Sequence, residues 1–550
     1  MKILGIRDVI GPIMVGPSSS HTAGALRIAL MCRRLLAGEP RRATFTLYGS
    51  FAHTYRGHGT DKALVAGLLG MGTDDLRIRD SFELAQDAGL TFEFVAAPEG
   101  ACEHPNTVDI DVVDETGGAT SMRGESIGGG AAVISRINGV DVRLTGEYHS
   151  IVVKQRDVKG VLAHIATCLN IFDINIATTR LFRERKGDIA YTIMQTDDEV
   201  DEAIARAIAN NPAIYDVRIV KSDRASGAVP PVPADAVCAL DGFGADLTPE
   251  TAAELFETLD FPDAKSLLAY CERERTGIGA AMCRRERCML AAEHIAVDDT
   301  RRYLAEALDV MRESATRPLD EPHASMGGLI GGEAAKLSAR EEEGPCGPLL
   351  ARAVTYAMAV LETNASMGRI VAAPTAGSSG VVPALLLACQ DVHGFSDAEL
   401  IDALANAAAV GYLITRNATV SGAEGGCQAE VGAASAMAAS AACQLFGGNP
   451  RQCLNAAANA IAGLLGLVCD PIAGLVEAPC QKRNATGVAN ALVSAQIALA
   501  GIGNLVDFDQ TVEAMHHVGR TLPFELRESA LGGLAATPAA CAFCQGCAQR

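Results

Sequence analysis

At 550 residues, with 46 basic and 66 acidic side chains and a net charge of −20, the chain has length for about two to four domains and lacks the basic balance that nucleic-acid phosphates demand. Seventeen cysteines in a chain this long are no small secreted disulfide scaffold; they fit a reducing, cytoplasmic compartment where thiolates stay free for metal. The apolar runs, 491–506 among them, stay under about 18 residues and carry Gly, Ser, Asn or Gln, which predicts buried helices and no membrane span. The start, M-K-I-L-G-I-R-D-V-I-G-P, has no signal-like apolar core. Hydrophobic residues make up 49%, with 55 glycines and no Trp, which points to helices packed closely on small residues.

The first block covers residues 1–146. It opens on a polar loop, G-P-S-S-S-H-T-A-G at 16–24, followed by a helical pattern over 25–36. Three serines, His21 and Thr22 at a helix start suit an anion, because the first N–H groups of a helix lack partners and face the positive end of its dipole. The plainer alternative is an N-cap with spare hydroxyls. Alternation predicts a strand over 44–48, and a helix begins near 60. Between them, Y-R-G-H-G-T-D sets His58 between two glycines, a poor place for a packing residue and a good one for a proton-transfer group. H-P-N-T-V at 104–108 leads into an alternating strand over 109–113, and S-I-G-G-G at 126–130 precedes another apolar stretch.

Residues 147–222 form a separate block. Strands are predicted over 150–155, 175–182, 188–195 and 214–220, with helices over 160–169 and 199–209. That β-α-β-β-α-β order is the ferredoxin-like split motif. The Pro- and Ala-rich stretch 223–236 predicts a linker. From 237 to 535 the periodicity is helical almost throughout, with helices over 248–258, 298–316, 348–363, 397–414 and 429–445 and no convincing strand run. The motifs fall in the breaks: S-M-G-G-L-I-G-G-E at 325–333 and N-A-S-M-G-R-I-V-A-A-P-T-A-G-S-S-G at 364–380. In the second, Thr375, Ser378 and Ser379 suit a carboxylate held by hydroxyl and backbone N–H groups, with a helix cap as the alternative.

The stretch 422–487 reads G-A-E-G-G-C-Q-A-E-V-G around Cys427 and then C-D-P-I-A-G-L-V-E-A-P-C-Q-K-R-N-A-T-G, which carries Cys469 and Cys480, 42 and 11 residues apart in turn. Cys389, Cys443 and Cys453 lie in Ala/Leu-rich helical runs and read as core. The trio keeps different company: Glu424, Gln428, Glu430, Asp470, Glu477, Lys482, Arg483 and Asn484 are costly among Ala and Gly unless a site uses them. Three thiolates without a fourth suggest an iron–sulfur cluster with one iron left open as a Lewis acid. The tail, 536–550, adds C-x-x-C-x-x-C through Cys541, Cys544 and Cys547.

These motifs carry a resemblance. E-G-G-C-Q-A-E, C-D-P-I-A-G-L-V-E-A-P-C, K-R-N-A, the motifs at 325–333 and 364–380, and L-G-G-L-A-A-T-P resemble the α domain of bacterial iron–sulfur L-serine dehydratases. G-P-S-S-S-H-T-A-G, G-H-G-T-D, H-P-N-T and S-I-G-G-G together resemble that family's β domain, and 147–222 resembles an ACT domain, an amino-acid-sensing or oligomerisation module. The resemblance implies a multi-domain chain: an α+β N-terminal β domain at 1–146, a ferredoxin-like ACT domain at 147–222 and a mostly all-α catalytic domain at 237–535. It implies a [4Fe–4S] cluster on Cys427, Cys469 and Cys480, with Cys547, Cys544 or Cys541 as a cap on the fourth iron. The implied reaction is β-elimination of water from L-serine, through 2-aminoacrylate to pyruvate and ammonia. His58 and His21 are the candidate bases for the Cα proton. Ser18, Ser19, Ser20, Thr22, Asn106, Thr375, Ser378 and Ser379 are the candidate substrate-binding residues. The expected partners are L-serine and a second copy in a homo-oligomer, a dimer, with no nucleic acid and no membrane. Another cluster-dependent hydro-lyase and a non-enzymatic amino-acid or redox sensor stand as alternatives.

Overall fold

Apolar side chains alternate through the first strands, and the sheet they form follows from that period. In Pro40–Leu47 the residues Ala43, Phe45 and Leu47 are fully buried while their neighbours meet solvent in part. In the computed structural model the described residues are 3–98, 100–102, 104–146, 148–183, 186–196, 198–221, 247–292 and 299–547. The chain divides into two units: residues 20–231, and a second that joins residues 1–19 to 232–550. The linker expected at 223–236 lies outside the described residues.

The 20–231 unit contains two sheets. The larger has six strands in the order Thr91–Ala96, Pro40–Leu47, Thr107–Asp114, Ala119–Gly128, Ala131–Ile137, Val140–Leu144. Only the first pair is parallel. Helices Ala25–Leu35 and Thr60–Leu68 turn their apolar stripes inward. A Cβ on Gly124 would stand 2.2 Å from Ile28 Cγ2, so helix Ala25–Leu35 approaches the sheet only because that position is glycine. The S-I-G-G-G motif is a hairpin: Gly129 and Gly130 take φ of 57° and 77° between Ala119–Gly128 and Ala131–Ile137, a left-handed pair that glycine adopts without strain.

The smaller sheet has four antiparallel strands, in the order Ile214–Val220, His149–Arg156, Ile189–Thr196, Ile176–Arg183. Helices Val161–Ile171 and Glu202–Ala209 close a core of Ile151, Val153, Ile165, Leu169, Ile204 and Ile208. All six elements expected in this stretch form, in the expected chain order. Asp201 caps the second helix by accepting from the N–H groups of Ala203 and Ile204.

The other unit is helical, and small residues let its helices close up. Every residue from Ala433 to Cys443 of Ala433–Leu445 is buried. Helix Asp397–Asn417 is long and apolar enough to cross a membrane, yet Leu400 to Ile414 apart from Asp402 are buried within the protein. Cys389, Cys443 and Cys453 are core residues, as their surroundings in the sequence indicated. Among the described residues one strand interrupts the mostly helical pattern expected here: Arg369–Val371 pairs antiparallel with Ile13–Val15. Three residues are too few to show a period, and their partner lies at the other end of the chain. Further contacts bind the N-terminal segment to this unit. Glu286 accepts from Ile6 N at 3.0 Å, and Arg285, almost fully buried, donates to Leu4 O at 2.9 Å and to Asp260 Oδ1 at 2.7 Å. Burial pushes Glu286 up to about 7.

Candidate functional site

The polar motifs gather at two places, one in each unit. In the helical unit, Cys427 immediately precedes the π-helical turn Gln428–Gly432. Cys480 is the first residue of helix Cys480–Leu499, where a thiolate gains from the helix dipole. Cys469 is held on its backbone, whose N–H donates to Leu526 O at 2.9 Å and whose carbonyl accepts from Glu528 N at 2.8 Å, and its thiol reaches Glu430 Oε2 at 4.0 Å. Cys427 and Cys469 are buried and Cys480 half-buried. Burial pushes the Cys427 thiol up to about 12, helped by Glu430 and opposed by Arg483. Burial also pushes Cys469 and Cys480 upward, and each feels the Cys427 sulfur and the Glu430 carboxylate. The three thiols therefore share one neighbourhood.

Around them, Thr375 Oγ1 donates to Glu430 Oε1 at 2.9 Å and lies 3.0 Å from Ser378 Oγ, while Ser379 Oγ is buried without a partner. Asn484, on the helix that Cys480 begins, pins this loop by donating to Gly377 O at 2.9 Å and accepting from Gly380 N at 3.0 Å. Asn364 Nδ2 donates to Ala376 O at 2.9 Å and reaches Pro17 O at 3.5 Å, so buried Ser18 and Ser19 follow a residue held beside the same loop. Arg483 pairs with Asp470 at 2.7 Å and donates to Val468 O at 2.8 Å. Asp470 in turn accepts from Leu534 N at 2.6 Å, which ties L-G-G-L to C-D-P. Desolvation pushes Glu430 up to about 7, although the residue keeps some solvent contact. Glu528, likewise only half-buried, is pushed up to about 8 by desolvation and then by Glu430. Cys541 is exposed, its thiol 3.9 Å from Ala535 O; the side chains of Cys544 and Cys547 lie outside the described residues.

This donor set fits an iron–sulfur group. Desolvation and Glu430 outweigh the Arg483 cation and keep the three thiols protonated, and iron is the kind of charge that reverses this by taking thiolates. Gly422 leaves room: a Cβ there would stand 2.6 Å from Glu430 Oε2 and 3.3 Å from Cys469 Sγ. Among the described residues no three His, Cys, Asp or Glu side chains converge on a single ion. A cubane gives each thiolate its own iron, so its ligands stand farther apart than those of one ion.

In the other unit, His21 sits on the π-helix Ser19–Gly24 that leads into Ala25–Leu35, and His58 in the turn before Thr60–Leu68. Their rings are 4.4 Å apart between centroids, at 63°. His21 Nδ1 lies 3.0 Å from Ser20 Oγ and Nε2 lies 2.8 Å from Ser50 Oγ. His58 is fully buried with both ring nitrogens unpartnered. Burial lowers His58 to about 4 and His21 well below its ordinary value, so both rings are neutral at pH 7. Thr22 Oγ1 donates to His58 O at 2.7 Å; Ser126 Oγ donates to Ser20 O at 2.8 Å, and Ser126 N donates to Asn106 O at 2.9 Å. Asn106 Oδ1 is buried without a partner. All four motifs of the first block thus meet at the two histidines. Ser50 and Glu528 escaped the sequence reading: Ser50 is in the short helix Gly49–Thr54, too brief to show a period, and Glu528 arrives through its backbone bond to Cys469.

Two family models match the chain, with bounds that differ from those of the two units. One described as serine dehydratase beta chain matches residues 8–136, and one described as serine dehydratase alpha chain matches 189–535. The chain is also 31% identical over 533 residues, 95% of its own length and 96% of the relative's, to the L-serine dehydratase of Streptomyces coelicolor. The chain belongs to the serine dehydratase family. It is 46% identical over 255 residues to a probable L-serine dehydratase alpha chain of Bacillus subtilis, 46% of this chain and 85% of that one. The probable beta chain of the same organism is 40% identical over 217 residues, 40% of this chain and 98% of the relative. Both family parts therefore occur here in one chain, with His21, His58 and Asn106 in the beta match and the three cysteines in the alpha match.

Proposed function

We propose that this chain dehydrates L-serine to pyruvate and ammonia, with Cys427, Cys469 and Cys480 holding a [4Fe–4S] cluster. The observation that carries the reading is the near full-length match to a chain named L-serine dehydratase; the shared neighbourhood of the three thiols and Glu430 supports the cofactor. When bound, such a cluster supplies a Lewis acid that makes the serine hydroxyl a feasible leaving group.

The chain's own residues do the rest. His58 takes the Cα proton at a ring nitrogen: it is neutral at pH 7, and neither nitrogen is engaged. A base held near 4 is weak, and the approach of a substrate carboxylate raises it toward working pH. His21, fixed between Ser20 and Ser50, supports the His58 ring from its edge. In the unit of the three cysteines, Ser18, Ser19, Thr375, Ser378 and Ser379 offer hydroxyls to a carboxylate; in the unit of the two histidines, Ser20 and Thr22 offer hydroxyls and Asn106 Oδ1 accepts from an ammonium. Elimination leaves 2-aminoacrylate, which water converts to pyruvate and ammonia. The strand and helix order at 149–220 supports reading that block as an ACT-like regulatory or dimerising module, in a cytoplasmic homodimer where thiolates stay reduced.

Protein purified without air is expected to release pyruvate and ammonia from L-serine in equal amounts, and to lose that activity in air. Elimination from another hydroxy acid with none from L-serine would overturn the substrate; turnover unchanged after prolonged aeration would overturn the cofactor.

A further inference from the structure

The motif S-M-G-G-L-I-G-G-E plays no part in the scheme above, yet its segment is tied to the chain on both sides of Cys480. Glu477, 2% exposed, accepts from Ser325 Oγ at 2.6 Å, Gly327 N at 2.7 Å and Leu329 N at 3.0 Å. The loop closes on itself as Ser325 N donates to Ile330 O at 3.0 Å and Ile330 N to Ser325 Oγ at 3.3 Å. On the other side, Gln481 Nε2 donates to Glu362 Oε1 at 3.1 Å, and the same oxygen accepts from Ala334 N at 2.9 Å. Gln481 N donates to Glu477 O at 2.9 Å, so the two anchors are joined across Cys480. A Cβ on Gly327 would stand 2.3 Å from Leu475 Cδ1 and 2.9 Å from Glu477 Oε1, so a larger residue there would push the Glu477 carboxylate off its donors.

We propose that segment 325–334 is a clamp that sets the Cys480 thiol for its iron, with Glu477 and Gln481 as the positioning residues. The proposal rests on the cluster reading given above. Cys480 is the half-buried member of the trio, so solvent reaches this residue more than the other two. A buried carboxylate accepting three hydrogen bonds has one comfortable position, and it fixes the turn from which Cys480 projects. Partners one shell out from a metal ligand set its orientation and retention in this way.

The test replaces Glu477 with Gln in the full chain, reconstituted without air beside the wild type. Glutamine keeps the shape but turns N–H groups toward donors that already point inward, leaving some unpaired. The readout is loss of the cluster's visible absorbance to a ferrous-iron chelator. Glu477→Gln is expected to hold iron about 10–100-fold less tightly, the range for such partners. Ser325→Ala, which removes one donor of three, moves the same way by less, and Glu477→Asp recovers part of the loss. Wild-type iron retention in Glu477→Gln overturns the proposal. So does collapse of the metal-free fold in both Glu477→Gln and Ser325→Ala by circular dichroism, since the residues would then serve the fold and not the ligand. A wild type that takes up no cluster defeats the cluster reading itself and is recognised without any variant.

Discussion

Replacing Cys427, Cys469 or Cys480 with alanine is expected to strip the purified protein of most of its iron and acid-labile sulfide and to bring serine turnover to background. Each thiolate would serve a different iron, so none can stand in for another. The fold should survive. Removing one buried sulfur costs about 0.5–1.5 kcal/mol, the scale of a deleted methyl, against a domain stability of about 5–15 kcal/mol. Cys389→Ala is the comparison: the residue is fully buried, in helix Val381–His393 among apolar side chains, and its loss should leave iron untouched. Iron and sulfide are measured per chain after anaerobic reconstitution. A variant of the trio with full iron content removes that cysteine from the ligand set.

His58→Ala is expected to keep iron and visible absorbance while turnover falls about 10²–10⁴-fold, the usual worth of a proton-transfer group. A variant that retains wild-type turnover transfers the role to another residue. The same histidine has a second signature. Its ring titrates near 4 in the folded chain against an ordinary value of 6.5. Between those values the unfolded chain holds the extra proton, so stability rises with pH across the window. The contribution is complete above about 6.5 and is lost as pH falls toward 4, to a total of about 3 kcal/mol. Wild type should therefore lose more melting temperature between pH 7 and pH 5 than His58→Gln does; His21 adds to the slope in the same sense, while Asp61, Glu286 and Glu430, whose carboxyls burial raises into this window, oppose it in both proteins. Equal slopes would mean that the ring is not held neutral by burial.

Much of this site is visible in the sequence because its residues violate their surroundings. Glu430, Asp470, Arg483 and Asn484 stand in Ala- and Gly-rich chain, and each has a specific partner near the cysteines. His58 between two glycines is buried beside His21, which the flanking residues of neither motif reveal alone. The block 149–220 is legible for a different reason: strand-length apolar runs and two helix-length patterns follow one another along it, although His149–Arg156 pairs with the distant Ile214–Val220. What escapes depends on distant backbone. Nothing in I-M-V or R-I-V announces that Ile13–Val15 pairs with Arg369–Val371, because a three-residue strand has no period and its partner is chosen by the whole fold. The short helix Gly49–Thr54 ahead of His58 and the π-turn Gln428–Gly432, where a regular helix was expected from 429, are likewise set by packing around the site.

The central claim is an iron–sulfur cluster with one iron free of protein thiolate. Mössbauer spectroscopy of anaerobically prepared, isotope-enriched protein, recorded with and without L-serine, tests it most directly. The account predicts one [4Fe–4S] cluster per chain, in which a single iron subsite changes its signal when L-serine is added and the others do not. A cluster whose irons all ignore L-serine, or a protein that turns over serine with no cluster at all, would contradict it.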